Sequence, residues 1–181
     1  MIEILEATKS QAAEIARLIM TAMTDDCCLY FCGEGYGLED FCRMMTMLVE
    51  REDSQYSYRN TLVAMDAERV VGISVSYDGG RLHELRRAFI EAAKEHIGKD
   101  HSGMDDETQA GELYLDSLTV LPEYRRQALP EICCWLPRNG LIVWACRVSD
   151  SWLIRTILSA RHYTPQSAFN TSMITNGVVI P

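Results

Sequence analysis

The stretch ELYLDSLTVLPEYRRQ, residues 112–127, decides how the first two thirds of the chain fold. Residues 112–120 have the polar and apolar pattern of a β-strand with one buried face, and residues 121–127 form its exit. Because side chains two positions apart lie on the same face of a strand, Glu112, Tyr114 and Asp116 are predicted to share one face.

The residues before this strand predict alternating strands and helices. Strand patterns cover residues 2–7, 60–68 and 69–80, and helical patterns cover residues 8–26, 38–52 and 81–96. Thr8 is a suitable N-cap for the first helix. The apolar face of the second helix is formed by Leu38, Phe41, Met44, Met45 and Leu48. The strand patterns at 60–68 and 69–80 are joined by a short acidic turn, which predicts a hairpin, and residues 97–111 are predicted to form a polar loop.

Composition limits the classes of function that suit the chain. It has 181 residues, 48% of them apolar, and a formal net charge of −9, which favours one compact domain and argues against a nucleic-acid or anionic-membrane partner. Small molecules or cationic partners suit such a surface better. Glu3 and Glu6 occupy the region where a signal peptide has basic residues, and no apolar run approaches the ~18 residues of a membrane span. We therefore expect a cytoplasmic protein.

The seven cysteines are expected to be reduced thiols, since no export signal accompanies them. Cys27, Cys28 and Cys32 lie close together, but their spacing is not the paired C-x-x-C of zinc sites, and no histidine is near them. No metal site is predicted. Residues 25–37, DDCCLYFCGEGYG, are interpreted as a loop with a partly buried apolar lining.

This order of elements, followed by DSLTVLPEYRRQ, resembles the GNAT superfamily of acetyl-CoA-dependent N-acetyltransferases. The resemblance covers residues 2–127. It implies an α/β (α+β) fold with a mixed, mostly antiparallel central sheet flanked by helices, in which residues 112–120 form a central strand. It also implies transfer of an acetyl group from acetyl-CoA to a primary amine by direct attack in a ternary complex.

The resemblance assigns the cosubstrate to the end of this strand and the loop after it. Leu118 and Val120 would contact the pantetheine arm through their backbone. Arg125, Arg126 and Gln127 match the opening of the family's [RQ]-x-x-G-x-[GA] pattern, whose glycine and helix N-terminus bind a diphosphate through converging N–H groups. The alternative for the two arginines is a solvated surface pair.

The same resemblance suggests where the acceptor amine binds. The acceptor is a small-molecule or peptide amine, and Asp116 or Glu112 is the candidate base, acting directly or through water. Tyr30, Phe31 and Tyr36, in the loop where the family forms its acceptor pocket, could line that pocket. Core packing is the alternative for the aromatic residues, and a solvated strand-end carboxylate is the alternative for the acids. The oligomeric state is left open, with a homodimer as one alternative.

The family pattern stops at Gln127. The positions where it has small residues hold Ala128 and Pro130, and a proline offers no N–H to a diphosphate. Pro137 interrupts the helix that should follow, and the late motif L-Y-x-x-x-G-F, which carries the family's usual acid, is absent. Of the 26 acidic residues, two lie after Gln127, whereas all three tryptophans lie there.

Residues 128–181 can be explained as a translation in the wrong reading frame. A codon read one base earlier joins the third base of one codon to the first two of the next. Permitted codons across residues 127–140 can encode G-I-A-R-N-L-L-L-A-A-A-E-W after Gln127, and those across residues 162–170 can encode L-Y-S-S-V-G-F-Q-Y. Both missing motifs therefore return in one frame. One base lost from a run of G after the Gln127 codon is sufficient.

We therefore interpret residues 1–127 as a GNAT-like body and residues 128–181 as an anomalous C-terminal segment of the same domain. That segment is not expected to show the family's helix, strand, helix, strand succession. Two alternatives stay open. The segment can be a divergent tail with a structural role, or the whole chain can be a catalytically impaired scaffold that acts as a binding or structural protein.

Overall fold

A computed structural model of the chain describes residues 2–125 together with the backbone of residues 132–136, 141–148 and 151–158. The chain divides into two compact units, Met1–Gln127 and Ala128–Pro181. This division falls where the sequence changes character. The reading-frame explanation for that change stays a prediction.

The first unit contains four strands and four α-helices in the order β1-α1-α2-α3-β2-β3-α4-β4. The strands are β1 (Ile2–Glu6), β2 (Thr61–Asp66), β3 (Arg69–Asp78) and β4 (Leu113–Val120). The helices are α1 (Ala12–Met23), α2 (Asp25–Phe31), α3 (Leu38–Glu50) and α4 (Leu82–His96). The sheet has the order β1-β2-β3-β4, and every neighbouring pair is antiparallel. The predicted α+β class with a mostly antiparallel sheet is confirmed.

The predicted helical face over residues 38–52 is also confirmed. In α3, Phe41, Met44, Met45 and Leu48 are fully buried in the core, and Leu38 packs at its margin. Their spacing of three and four residues brings them to one stripe of the helix. The same core receives residues of α1, α4 and the sheet, so the helices cover apolar strand residues that would otherwise face water.

Thr8, the predicted N-cap, precedes a 3₁₀ turn, and α1 begins directly after that turn. The backbone N–H of Thr8 donates to Oε1 of Gln11 at 2.8 Å, and residues 9–11 form a turn of 3₁₀-helix before α1 begins. This is one half of a capping box, in which a polar side chain satisfies an N–H that the helix leaves without a partner.

The loop predicted over residues 25–37 is wrong for its first half, because Asp25–Phe31 form α2. Thr24 separates this helix from α1 with a φ of 74°, and its hydroxyl accepts a hydrogen bond from the N–H of Cys27 at 3.4 Å. Asp25 and Asp26 then lie in the first turn, where negative charge suits the helix dipole.

Strand β4 is the last strand of the four-stranded sheet, so the central position predicted for residues 112–120 is wrong for the first unit. The reason is that β4 is the last described strand of a unit that ends at Gln127. It therefore pairs with β3 on one side, and no described strand of the first unit lies on its other side. Residues 126–131 lie outside the described residues.

The described part of the second unit consists of three antiparallel strands in the order β5-β6-β7. They are β5 (Ile132–Leu136), β6 (Leu141–Val148) and β7 (Ser151–Leu158). Strand β5 occupies the place where the resemblance implies a helix. Among the described residues of the whole chain, no helix has the length and apolarity that a membrane crossing requires.

Candidate active site

Strand β4 carries one extra residue at Asp116. Across the ladder, Val75 lies opposite Ser117 and Ser76 lies opposite Leu115, so Asp116 has no partner on β3. Such a β-bulge re-aims the side chains at and beside it. The hydroxyl of Ser117 donates to Oδ1 of Asp116 at 2.9 Å, which shows that these consecutive side chains lie on the same side of the strand.

The half-buried carboxylate of Asp116 lies in a polar cluster. Its Oδ2 accepts a second hydrogen bond from Nε2 of Gln55 at 3.3 Å. Burial raises the pKa of Asp116 to about 6, and the nearby charge of Glu107 acts in the same direction, against the effect of its hydrogen bonds and of Arg86. A carboxylate with this pKa is mostly ionised at pH 7 and is a stronger base than an ordinary aspartate.

Three tyrosines surround this carboxylate. Tyr77 and Tyr114 pack edge to face with ring centroids 5.5 Å apart, and the charge of Asp116 acts on both phenols. Burial raises the pKa of Tyr56, Tyr77 and Tyr114, and the negative charge of Asp116 raises all three further. The phenols are therefore protonated at neutral pH and can donate hydrogen bonds.

A buried arginine anchors the loop above this cluster. The side chain of Arg86, in the middle of α4, is 4% exposed and forms an ion pair through Nη2 with Oε2 of Glu107. Its Nη1 donates to Oδ1 of Asp106 at 3.2 Å and to the carbonyl of Met104 at 3.5 Å. The other carboxylate oxygen of Glu107 accepts a hydrogen bond from the hydroxyl of Tyr77 at 3.3 Å.

Arg86 and Glu107 were not identified from the sequence, although the position of Arg86 in the sequence indicates a buried ion pair. Arg86 lies on the apolar face of α4, among the buried residues Leu82, Leu85 and Phe89. A basic residue at a core position of an amphipathic helix needs a buried partner, because an unpaired charge in that place is costly. That requirement predicts an acidic residue nearby in space, although not which one.

Two atoms of this cluster remain without a hydrogen-bond partner among the described residues. They are Oε1 of Gln55 and Nε of Arg86, and both are buried. Buried polar atoms are normally paired, so an unsatisfied pair beside one carboxylate marks this region as different from the rest of the core.

Glu112 lies outside this cluster. Its Oε2 accepts hydrogen bonds from the N–H of Gln109 at 3.1 Å and from the hydroxyl of Thr108 at 3.0 Å, and its Oε1 accepts one from Nε2 of Gln109 at 3.2 Å. These bonds hold the pKa of Glu112 below its usual value. The exposed carboxylate closes the turn before β4. Of the two predicted bases, the geometry favours Asp116.

The three aromatic residues predicted to line an acceptor pocket have different environments. Phe31 packs in the core against Phe41 and Phe89 and against the ring of His101. Tyr30 is 72% exposed, with the ammonium of Lys99 lying 4.3 Å from its ring centroid.

The third of these residues, Tyr36, is 41% exposed and lies over Gly98. A Cβ atom at Gly98 would lie 2.6 Å from Cε2 of Tyr36, so the ring uses the space that glycine leaves. Tyr30 and Tyr36 are thus available at the surface, whereas Phe31 is half-buried and packs at the margin of the core.

A row of aromatic rings connects Phe31 with the Asp116 cluster. The centroid of Phe31 lies 5.7 Å from that of Phe89, which lies 5.9 Å from that of Tyr56. Tyr56 in turn is close enough to Asp116 for its pKa to respond to that charge. The predicted base and one predicted pocket residue therefore lie at the two ends of a single packed row.

The outer edge of β4 carries the residues predicted to bind the cosubstrate. The N–H of Leu121 donates to the carbonyl of Val71 at 2.9 Å, and backbone groups alternate in direction along an antiparallel strand. The backbone groups of Leu118 and Val120 therefore point away from β3. The carbonyl of Val120 accepts a hydrogen bond from Nε of Arg125 at 2.9 Å, which holds Arg125 at the end of the strand. Arg126 and Gln127 lie outside the described residues.

Comparison with known proteins identifies this architecture. No protein-family model and no curated protein matches the chain. Two solved structures match it. An acetyltransferase has 24% identity and a TM-score of 0.56, and covers 68% of this chain and 66% of its own. The N-acetyltransferase from Staphylococcus aureus Mu50 has 18% identity and a TM-score of 0.55, over 69% of this chain and 68% of its own. The match thus spans about two thirds of each chain, and it shows that the first unit shares its α+β fold with these two structures, as the sequence predicts.

Proposed function

We propose that this protein is an N-acetyltransferase that moves an acetyl group from acetyl-CoA to a primary amine, with Asp116 as the base. The observation that carries the proposal is the half-buried, hydrogen-bonded carboxylate at the bulge of β4, whose pKa is raised to about 6. Perturbed carboxylates of this kind are concentrated at functional sites. The likeness to two acetyltransferases supplies the reaction class.

The reaction requires a proton to leave the amine. An alkylammonium ion is protonated at neutral pH and cannot attack, so a base must take one proton, directly or through a water molecule. The amine nitrogen then forms a bond to the thioester carbonyl carbon and the C–S bond breaks. The nitrogen releases its second proton as the amide forms, and the sulfur leaves as a thiolate that takes up one proton, so the products are the amide and the free thiol. Asp116 is mostly ionised at pH 7, half-buried and hydrogen-bonded on both oxygens, which suits it to hold that first proton.

The outer edge of β4 fits one part of the cosubstrate. The backbone groups of Leu118 and the N–H of Val120 point away from β3, where the amides of a pantetheine arm could pair with them, whereas the carbonyl of Val120 already accepts from Arg125. Arg125 lies at the end of the strand, in reach of a phosphate group. The loop after it fits less well, because Ala128 and Pro130 stand where a diphosphate site needs close backbone approach and N–H donors.

This mismatch gives a quantitative test between an enzyme and an impaired scaffold. Two proteins should be compared by calorimetric titration with acetyl-CoA. One has the present sequence, and the other, the restored chain, is expressed from DNA in which the single base is restored after the Gln127 codon. The restored chain should form two or three additional charge-assisted hydrogen bonds to the diphosphate, at ~1.5–3 kcal/mol each. It should therefore bind acetyl-CoA several orders of magnitude more tightly. Equal affinity in both chains would refute the loop argument.

Activity should then be measured as thiol release with a panel of primary amines. Acetylation by the restored chain, lost on changing Asp116 to Asn, is the expected result. A restored chain that binds acetyl-CoA and acetylates no amine would remove the support for the enzyme. The scaffold alternative has one structural observation in its favour, since Ala128–Pro181 form a separate unit whose first described element is a strand.

A further inference from the structure

We propose that Arg86 is a positioning residue, which holds Glu107 against Tyr77 in the polar cluster of Asp116 and so sets the pH range in which Asp116 can accept a proton. The inference rests on the proposed function for its catalytic meaning. Its physical content, a charge pair that controls the ionisation of one carboxylate, can be measured without any substrate.

The geometry of Arg86 is that of a clamp. Its side chain is 4% exposed, and its two terminal nitrogens reach three groups of the segment 104–107. A guanidinium holds its donors in a rigid planar fork, so several partners at once fix the orientation of that segment. Through this clamp, α4 determines where the carboxylate of Glu107 lies.

Glu107 is held from a second side as well. While Oε2 pairs with Arg86, Oε1 accepts the hydroxyl of Tyr77 from β3. Tyr77 packs edge to face on Tyr114 of β4, two residues before Asp116. The row Arg86, Glu107, Tyr77 therefore crosses the structure from the helix to the bulged strand.

The charges that act on Asp116 come from this row. Glu107 disfavours its ionised form and Arg86 favours it, whereas Gln55, Ser117 and the three surrounding tyrosines are neutral at physiological pH. The two charges oppose each other while both are present. Removal of one of them leaves the other uncompensated, so the two removals must move the ionisation of Asp116 in opposite directions.

The test is a titration of the Asp116 carboxyl by ¹³C NMR on the full chain, with the resonance assigned by its loss in Asp116→Asn. In Arg86→Met the midpoint should rise by about half a pH unit or more, and in Glu107→Gln it should fall by about half a unit or more. Arg87→Met is the matched control, since Arg87 is the exposed neighbour on the same helix, and it should leave the midpoint unchanged.

The double variant Arg86→Met/Glu107→Gln distinguishes a change in the ionisation of Asp116 from unfolding of a single variant. Breaking a buried pair by removing one partner is far more damaging than removing both, so the double variant should fold and titrate near the wild-type midpoint. A midpoint that stays in place in Glu107→Gln, or that moves in the same direction in both single variants, would overturn the proposal. In the restored chain, the acid limb of kcat/KM should move with the NMR midpoint. If the midpoints move as expected and no amine is acetylated, the proposed function fails while the positioning role stands.

Discussion

Replacing Asp116 by Asn should stabilise the first unit at neutral pH while it abolishes acetyl transfer. The ordinary pKa of an aspartate is 3.8, and the folded protein raises that of Asp116 to about 6. The folded state therefore binds the proton more tightly than the unfolded state does. Its stability is greatest when Asp116 is protonated, below pH 4, and declines as the pH rises from about 4 to about 6.

The magnitude follows from this difference of about two pKa units. At 1.36 kcal/mol per unit, ionised Asp116 costs the folded state ~3 kcal/mol at pH 7 and above. Asn keeps the shape and removes the charge. With its oxygen still accepting from Ser117, its NH2 group replaces Oδ2 and can donate to Oε1 of Gln55 once the Gln55 amide turns over; that oxygen is buried without a partner among the described residues. We expect Asp116→Asn to increase the free energy of unfolding by about 1–3 kcal/mol at pH 8 and by little at pH 4.

Urea denaturation at both pH values, followed by circular dichroism at 222 nm, measures this effect in the unit that contains the described helices. Asp105→Asn is a suitable control, because Asp105 is an exposed acid in the same loop as Glu107, and its change should stay within about 0.5 kcal/mol. An Asp116→Asn protein that is less stable than the wild type at pH 8, or equally stabilised at pH 4 and pH 8, would refute the reasoning.

Three further substitutions test other parts of the site. Glu112→Gln should lower the free energy of unfolding by about 1 kcal/mol in urea denaturation, since it weakens the turn before β4, and should leave the acid limb of kcat/KM unchanged. Gly79→Ala should cost at least ~2 kcal/mol in the same assay, because its Cβ would lie 2.4 Å from the carbonyl oxygen of Gln109 and from the hydroxyl of Thr108. Gly98→Ala, at φ +66°, should cost about 1–2 kcal/mol and displace the ring of Tyr36, seen as a changed Tyr36 ring resonance in NMR spectra.

The sequence predicted those features of the fold that depend on periodicity. The apolar face of α3 and the hairpin of β2 and β3 follow from spacings of three to four and of two residues, and both are present. Helix α2 was missed because its start depends on Thr24, which leaves the helical conformation for one residue and then caps the next helix. A positive φ at a threonine has no periodic signal.

The candidate site was predicted only where it depends on the alternation of side chains along β4. Alternation brought Tyr114 and Asp116 together, but the bulge between them and the rest of β4 was not foreseen. Its signal is in the sequence: Leu113 and Leu115 are odd-numbered, whereas Leu118 and Val120 are even-numbered, so the apolar phase shifts by one residue at the bulge.

The contribution of Glu107 could not be predicted in this way. It is 21 residues from Arg86 along the chain, in an irregular loop, and only the folded structure brings the two together.

The cost of burying Asp116 bears on the choice between an enzyme and a scaffold. A scaffold gains nothing from an ionised carboxylate that costs ~3 kcal/mol, whereas a base for an amine must be ionised and benefits from a raised pKa. The first unit keeps this carboxylate, the arginine clamp beside it and the outer edge of β4. The resemblance of the sequence to the GNAT pattern ends after Gln127, beyond each of these features. A single lost base accounts for that combination, because it changes every residue after one point and none before it. Gradual loss of function would first replace groups that destabilise the fold, such as the ionised Asp116, since their replacement stabilises it. Sequencing the coding DNA around the Gln127 codon should therefore find a run of G that is one base short of the restored frame, and an intact run would refute the reading-frame explanation.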